Sequence, residues 1–430
     1  MKIFLPVSVI LFFSIFSFSI SAEDQKIPND KQSLKKMIWE TIEELRLYER
    51  ANGKEEESLQ TIYDDGFYLV GKDDTLRIGG WYQGDLNIFT QKNDGSTRFR
   101  NRRARLDIRG ILEDHFEYRF FPQFAGASAN LQEAWLQYKY FPNFRMRLGQ
   151  FKVPFSLESQ YSSLWTDFVE KSIGVGNLEP AEDVGFMIYG NPFQGRLIYA
   201  VGVFNGRSRT LEDNNDAFDG ATRLIFAPFK ISGKEIWKEL YVGGSLAVGQ
   251  SKEDLADTGF SAAGGNRFAT YGSATRHAGL RRKYGAELQW IFGPGDIKSE
   301  YLSARFDDVD RSGQKEDVDI NAWYLSISYL LTGEKKPKDR WVVPNKKFGA
   351  WEIAVRIEQF HIIEEAHFQA GLLTGSNSAT AATTALNWWP NKHIRLMLNY
   401  EFTNFDEGVL VGGEVENDES LFLLRTQYNF

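Results

Sequence analysis

The sequence predicts an all-β protein: a closed antiparallel transmembrane β-barrel of about sixteen strands, preceded by a short N-terminal helical segment. Three observations predict it. Apolar and polar residues alternate at period two through run after run, many of them near the roughly 9–11 residues of a tilted spanning strand. After the N-terminus, no stretch approaches the roughly 20 apolar residues of a spanning helix, so a chain integral to a membrane must cross it as a barrel. The connections alternate between tight turns and long loops, as the two rims of an outer-membrane barrel do.

Composition agrees. The chain has 34 Phe, 18 Tyr, 11 Trp and 38 Gly against 12 Pro, which suits long strands rather than disorder. It has no cysteine, so a disulfide scaffold and thiol catalysis are excluded. The net charge of −8 argues against a nucleic-acid partner.

The chain begins MKIFLPVSVILFFSIFSFSISA, with Lys2, an apolar run and then small residues. That is the layout of a secretory signal peptide spanning residues 1–22, cleaved after Ala22; the alternative is an uncleaved membrane anchor. Residues 23–60 are charged and read as a periplasmic helical leader. Leu34, Ile38, Leu45 and Tyr48 fall near coiled-coil spacing, over barely two heptads.

From residue 61 the barrel pattern takes over. In TLRIGGWYQGDLNIF one face carries Leu76, Ile78, Tyr82, Leu86 and Ile88, the other Arg77, Gln83, Asp85 and Asn87. In RARLDIRGIL one face is Ala104, Leu106, Ile108, Gly110 and Leu112, the other Arg103, Arg105, Asp107 and Arg109. Sixteen such runs are expected, near 75–90, 98–112, 114–125, 129–141, 143–153, 183–191, 195–205, 217–229, 239–250, 278–292, 295–306, 318–332, 347–361, 366–388, 391–405 and 420–430. The last run, LFLLRTQYNF, ends on a bare aromatic. A terminus this apolar is explained if the final strand pairs with the first and its outward face, Tyr428 and Phe430, sits at the membrane interface.

The stretch from Asp65 to Gly206 resembles the phosphate-selective porins O and P. The matching pieces, in order, are DGFYLVGKDDTLRIGGWYQGD, RFRNRRARLDIRG, FEYRFFPQFAG, LQEAWLQYKYFPNFRMRLGQFKVPFSLE, DVGFMIYG and YAVGVFNG, and the terminal LRTQYNF is similar to the closing strand of that family. The resemblance implies a bacterial outer-membrane location, a sixteen-stranded barrel, a homotrimer, passive diffusion of small solutes, inorganic anions such as phosphate among them, and a loop at 154–182 folded into the lumen.

Strand parity then gives the candidate pore-lining, anion-binding residues. The second strand projects Arg103, Arg105 and Arg109 inward, and the fifth projects Arg145 and Arg147. Side chains two apart lie about 7 Å apart on one face, which offers a moving anion overlapping weak sites. The guanidinium fork matches phosphate. The alternative is that these arginines pair with Asp107, Glu117 and Glu133 and only brace the wall. Lys152 reaches the mouth of the 154–182 loop or stands as a rim lysine in water. Within the loop, Lys171 faces six carboxylates, Glu158, Asp167, Glu170, Glu179, Glu182 and Asp183. Carboxylate rings favour cations, so the loop's charge opposes the preference of the arginine column.

Other constellations carry less. HIIEEAH brings His361, Glu364, Glu365 and His367 close in sequence, but on a strand the two histidines lie about 20 Å apart. Gly174-Val175-Gly176 lacks the Lys-Ser/Thr of a phosphate loop. No base–nucleophile pair suggests an enzyme, and no cofactor is expected. The competing reading is a structural or adhesive barrel with a plugged lumen.

Overall fold

A computed structural model describes residues 59–90, 97–141, 143–209, 215–231, 234–411 and 413–430. The signal peptide and nearly all of the helical leader lie outside the described residues.

Sixteen antiparallel strands close on themselves. They are β1 (Thr75–Phe89), β2 (Arg98–Leu112), β3 (Phe116–Gln123), β4 (Asn130–Phe141), β5 (Phe144–Lys152), β6 (Glu182–Gly190), β7 (Leu197–Phe204) and β8 (Asp219–Phe226), followed by β9 (Leu240–Gln250), β10 (Leu280–Phe292), β11 (Gly295–Arg311), β12 (Gln314–Leu330), β13 (Ala350–Ile362), β14 (Ser378–Trp389), β15 (Ile394–Val411) and β16 (Glu414–Asn429). Each pairs with the next in sequence, and β16 returns to β1 with Leu421 opposite Phe89 and Asn429 opposite Trp81. Phe430 and Gly80 exchange both backbone hydrogen bonds at 3.0 Å, and Tyr428 stacks on Tyr82 with ring centroids 5.5 Å apart. The terminal aromatics are therefore tied into the seam. Beyond that point the free edge of β1 is covered by a hairpin, Gln60–Tyr63 and Phe67–Val70, which pairs with Thr75–Ile78.

Burial runs opposite to that of a soluble sheet. Along β15, Arg395, Asn399, Glu401 and Thr403 are at most 1% exposed, while Leu396, Leu398 and Phe402 are 37–41% exposed. An apolar side faces outward around the barrel and, along most of the wall, a polar side faces the interior, which is the arrangement hydrocarbon demands.

The strands occupy the expected runs with one change of character. Of 366–388, only Ser378–Trp389 is barrel strand. Ala366–Gln369 is a helical turn, and Leu373–Gly375 joins a separate three-stranded sheet with Gly259–Ser261 and Arg267–Tyr271. Phe260 and Phe268 of that sheet pack on Phe360 of the inner wall, at centroid distances of 5.0 and 5.4 Å.

The interior is not polar all round. Leu302, Ala304, Ile320, Ala322, Tyr324 and Phe360 alternate with lipid-facing residues and are buried inside the barrel. They are covered by the segment between β5 and β6 and by the small sheet, so one side of the lumen is packed like a protein core.

Candidate functional site: a loop against two unlike walls

Residues 153–181 leave β5 and turn across the interior. The segment contains two short helices, α1 (Leu157–Gln160) and α2 (Ile173–Leu178), capped by Ser156 and Ser172. The wall side chains that meet it are complementary to its main chain. The Glu300 carboxylate accepts from the amides of Leu157 (2.7 Å) and Glu158 (2.8 Å), and Glu358 accepts from Ile173 (2.6 Å). Arg395 donates to the carbonyl of Thr166 (2.8 Å) and Arg425 to that of Val169 (2.6 Å). Asp167 at the tip is gripped by Lys298 (2.6 Å) and by Lys336 (2.7 Å) of the 331–349 turn. Burial opposes its ionisation, but these two ammonium groups outweigh it and hold its carboxyl well below the usual range. Gly174 fits where no other residue would, because a Cβ there would lie 2.6 Å from that of Ala322. The Gly174-Val175-Gly176 run is therefore a close-packing device.

On its other side the loop faces β2–β5 across a chamber of about 580 Å³. Of the expected residues, Arg103, Arg105, Lys152 and Lys171 line it. Arg103 donates to Gln83 (2.9 Å), and Arg105 donates to Gln123 (3.0 Å) and Gln132 (2.8 Å). Lys152 donates to the carbonyls of Ser159 (2.7 Å) and Tyr161 (2.6 Å). These partners are neutral, so three cationic charges face the chamber without a carboxylate within 4.0 Å among the described residues. Lys171, by contrast, is paired with Glu179 at 2.6 Å.

The other three lie elsewhere. Arg109 pairs with Asp107 at 3.4 Å, in a network with Arg77 and Arg119. Arg147 stacks on Trp135 with its guanidinium 4.0 Å from the ring centroid and donates to Gln137 (2.7 Å) and Tyr189 (2.9 Å). Arg145 lies 6.0 Å from the Tyr189 ring. These side chains lie on the short-turn half of the wall.

Parity missed three arginines. A bulge sets Gln83 opposite Arg103 but Gly84 opposite Asn101, leaving Arg102 as the extra residue. Beyond it the inward set shifts by one, so Arg100 faces the lumen. Arg100 and Arg102 then clamp Glu170 at 2.7 and 2.9 Å. Burial opposes the Glu170 charge, but Arg102, Arg425 and Arg103 hold its carboxyl below the usual range. Arg209 reaches in from the 205–218 loop to Gln132 (2.6 Å) and Glu182 (3.3 Å).

The six loop carboxylates thus have partners. Besides Asp167, Glu170, Glu179 and Glu182, Glu158 accepts from the amide of Ser172 (2.9 Å) and Asp183 from that of Gly206 (2.6 Å). Asp167, Glu158, Glu170 and Glu182 thus meet cations from outside the loop that the linear count left out, whereas Glu179 is offset by Lys171 of the loop and Asp183 by backbone amides.

The family model described as phosphate-selective porin O and P matches residues 76–430. The chain belongs to the phosphate-selective porin O and P family. It is a porin of the bacterial outer membrane, a passive channel for small solutes. Known structures share its fold at low identity. The trimer form of OmpT from Vibrio cholerae is 11% identical, with a TM-score of 0.54 over 83% of this chain and 99% of that one. The anion-selective porin of Comamonas acidovorans is 12% identical, with a TM-score of 0.52 over 83% of this chain and 100% of that one. Salmonella typhi OmpF, in a complex with daunomycin, is 11% identical with a TM-score of 0.54, over 86% and 100%. No curated protein matches the sequence.

Proposed function

We propose that this porin prefers anions, phosphate among them, and that they pass through the chamber between the 153–181 loop and strands β2–β5. Arg103, Arg105 and Lys152 are the groups that meet them. The observation that carries this reading is the pairing pattern: every loop carboxylate is already engaged, whereas among the described residues these three cations have amide and carbonyl oxygens for partners. An entering anion replaces a neutral partner without having to separate an ion pair, so its binding is weak enough to permit exit. Arg109, Arg145 and Arg147 act below the chamber as supports for the wall.

The channel is also read as a homotrimer. On the outer face, Tyr82 donates to the exposed Asn101 beside Gly84 and Thr426, a polar dent among apolar neighbours such as Leu86, Leu396 and Leu424. Polar groups facing hydrocarbon are costly, and a neighbouring subunit supplies a better surface. A detergent-solubilised sample should run at three chain masses on a native gel.

Purified protein in a planar bilayer under a potassium chloride gradient tests the selectivity. The reversal potential should carry the sign of chloride permeation. The opposite sign would overturn the anion preference and leave the channel itself untouched.

A further inference from the structure

The loop has a second flank. Behind Glu179–Ala181, away from Arg103 and Arg105, β6–β10 and the 251–279 loop enclose another chamber of about 1030 Å³. It is unlike the first. Its wall carries an apolar patch, Val153, Phe204, Ala221, Ala247 and Leu255, beside charged residues that include Arg207, Lys252, Arg276 and Arg281. One buried ammonium, that of Lys283, stands in this setting. Its Nζ donates to the carbonyl of Leu178 at 2.8 Å and meets no carboxylate within 4.0 Å among the described residues.

The acids around the chamber are occupied. Asp219 and Glu253 both pair with Arg281, at 2.8 and 3.0 Å, and Glu179 pairs with Lys171. Asp183 accepts from two backbone amides, those of Val184 (2.7 Å) and Gly206 (2.6 Å), and Asp254 accepts from Ala256 (3.0 Å). A buried charge without a counter-ion is costly, and a bound anion would supply one. The apolar patch decides which anion. A carboxylate carrying a hydrocarbon body would place each part against matching surface, its charge on Lys283 and its body on the apolar patch, which phosphate has no means of using.

We propose that this second chamber binds an organic monocarboxylate with an apolar body, aromatic or short-chain, its carboxylate on Lys283 and its hydrocarbon against Val153, Phe204, Ala221, Ala247 and Leu255. The porin then holds two sites separated by one loop: a polar one for small hydrated anions and an amphipathic one for organic acids. This goes beyond the passage of inorganic anions and does not depend on it.

The test is calorimetric titration of the folded, detergent-solubilised full chain with sodium benzoate. Folding of each variant is checked by the heat-dependent shift in gel migration. Benzoate should bind the unaltered porin. Lys283→Met should weaken it at least about tenfold, a loss of ~1.4 kcal/mol. Lys283→Arg should largely preserve binding. Ala247→Phe, which fills the chamber without touching the charge, should abolish it. The double variant Arg103→Gln/Arg105→Gln should leave benzoate affinity within about twofold while weakening phosphate block of the current, so the two sites fail separately. The proposal is overturned if the unaltered porin does not bind benzoate, if binding survives either Lys283→Met or Ala247→Phe in folded protein, or if it disappears with the chamber arginines.

Discussion

The two walls that flank the loop solve opposite problems with similar residue types. On the β11–β16 side, Glu300, Glu358, Arg395 and Arg425 spend their charge on the loop's own amides and carbonyls, and Ala322 comes close enough to require Gly174. On the β2–β5 side, Arg103 and Arg105 rest on glutamines and stay available. An inward cation thus either holds the loop's main chain, as Arg395 and Lys152 do, or rests on a neutral side chain, as Arg103, Arg105 and Arg147 do. Parity alone does not separate these roles.

The largest effect should come from unbolting the loop. Asp167→Asn removes the carboxylate that Lys298 and Lys336 share, while Asp296 and Glu352 still pair with them, so the cost is about 1.5–3 kcal/mol for the lost charged hydrogen bonds. Single-channel conductance should rise about twofold or more, with noisy open levels, in planar-bilayer recordings. An unchanged open level would mean that the Asp167 contacts do not hold the constriction.

The chamber cations come next. Arg103→Gln/Arg105→Gln should lower the anion-to-cation permeability ratio about tenfold at low salt, where such charges are least screened, as read from reversal potentials. Glu170→Gln should move the same ratio toward anions by a smaller factor, because it removes the carboxylate that Arg100 and Arg102 share. The conductance change should be slight, since Arg425 still holds the loop through Val169.

How much of this was legible beforehand follows from where the information sits. Strand direction and the lipid face depend on period-two pattern, and Leu396, Tyr428 and their neighbours carry it directly in the sequence. The bulge at Gln83/Gly84 does not show in that pattern, so Arg100 and Arg102 were assigned no role although they stand in the same basic run as Arg103. The apolar inner patch was partly readable, because Ile320-Asn321-Ala322-Trp323-Tyr324-Leu325 is apolar on both faces, as a strand buried on both sides is. Pairing of the loop acids with Lys298, Lys336 and Arg425 involves separations of more than a hundred residues, and nothing local announces it.

The smallest effect concerns pH. Asp167 and Glu170 have carboxyls held below their unfolded values, so their contribution to loop docking is complete above the ordinary carboxylate range and is lost only as pH falls through the lower folded values. The docking supplied by Asp167 and Glu170 should therefore change little between pH 7 and about pH 4 and be lost only in stronger acid. A conductance step near pH 6 in bilayer recordings that disappears in Asp167→Asn or Glu170→Gln would contradict the pairing described for these two groups.

The claim on which the functional reading turns is that solutes meet the upper wall beside the loop, and that the lower arginine network is structural. Phosphate block of chloride current measures this directly. The half-blocking phosphate concentration should rise at least about tenfold in Arg103→Gln/Arg105→Gln, ~1.4 kcal/mol of binding, and less than about twofold in folded Arg145→Gln/Arg147→Gln. The reverse order would place the anion path along β5 below the loop and remove the chamber from the route.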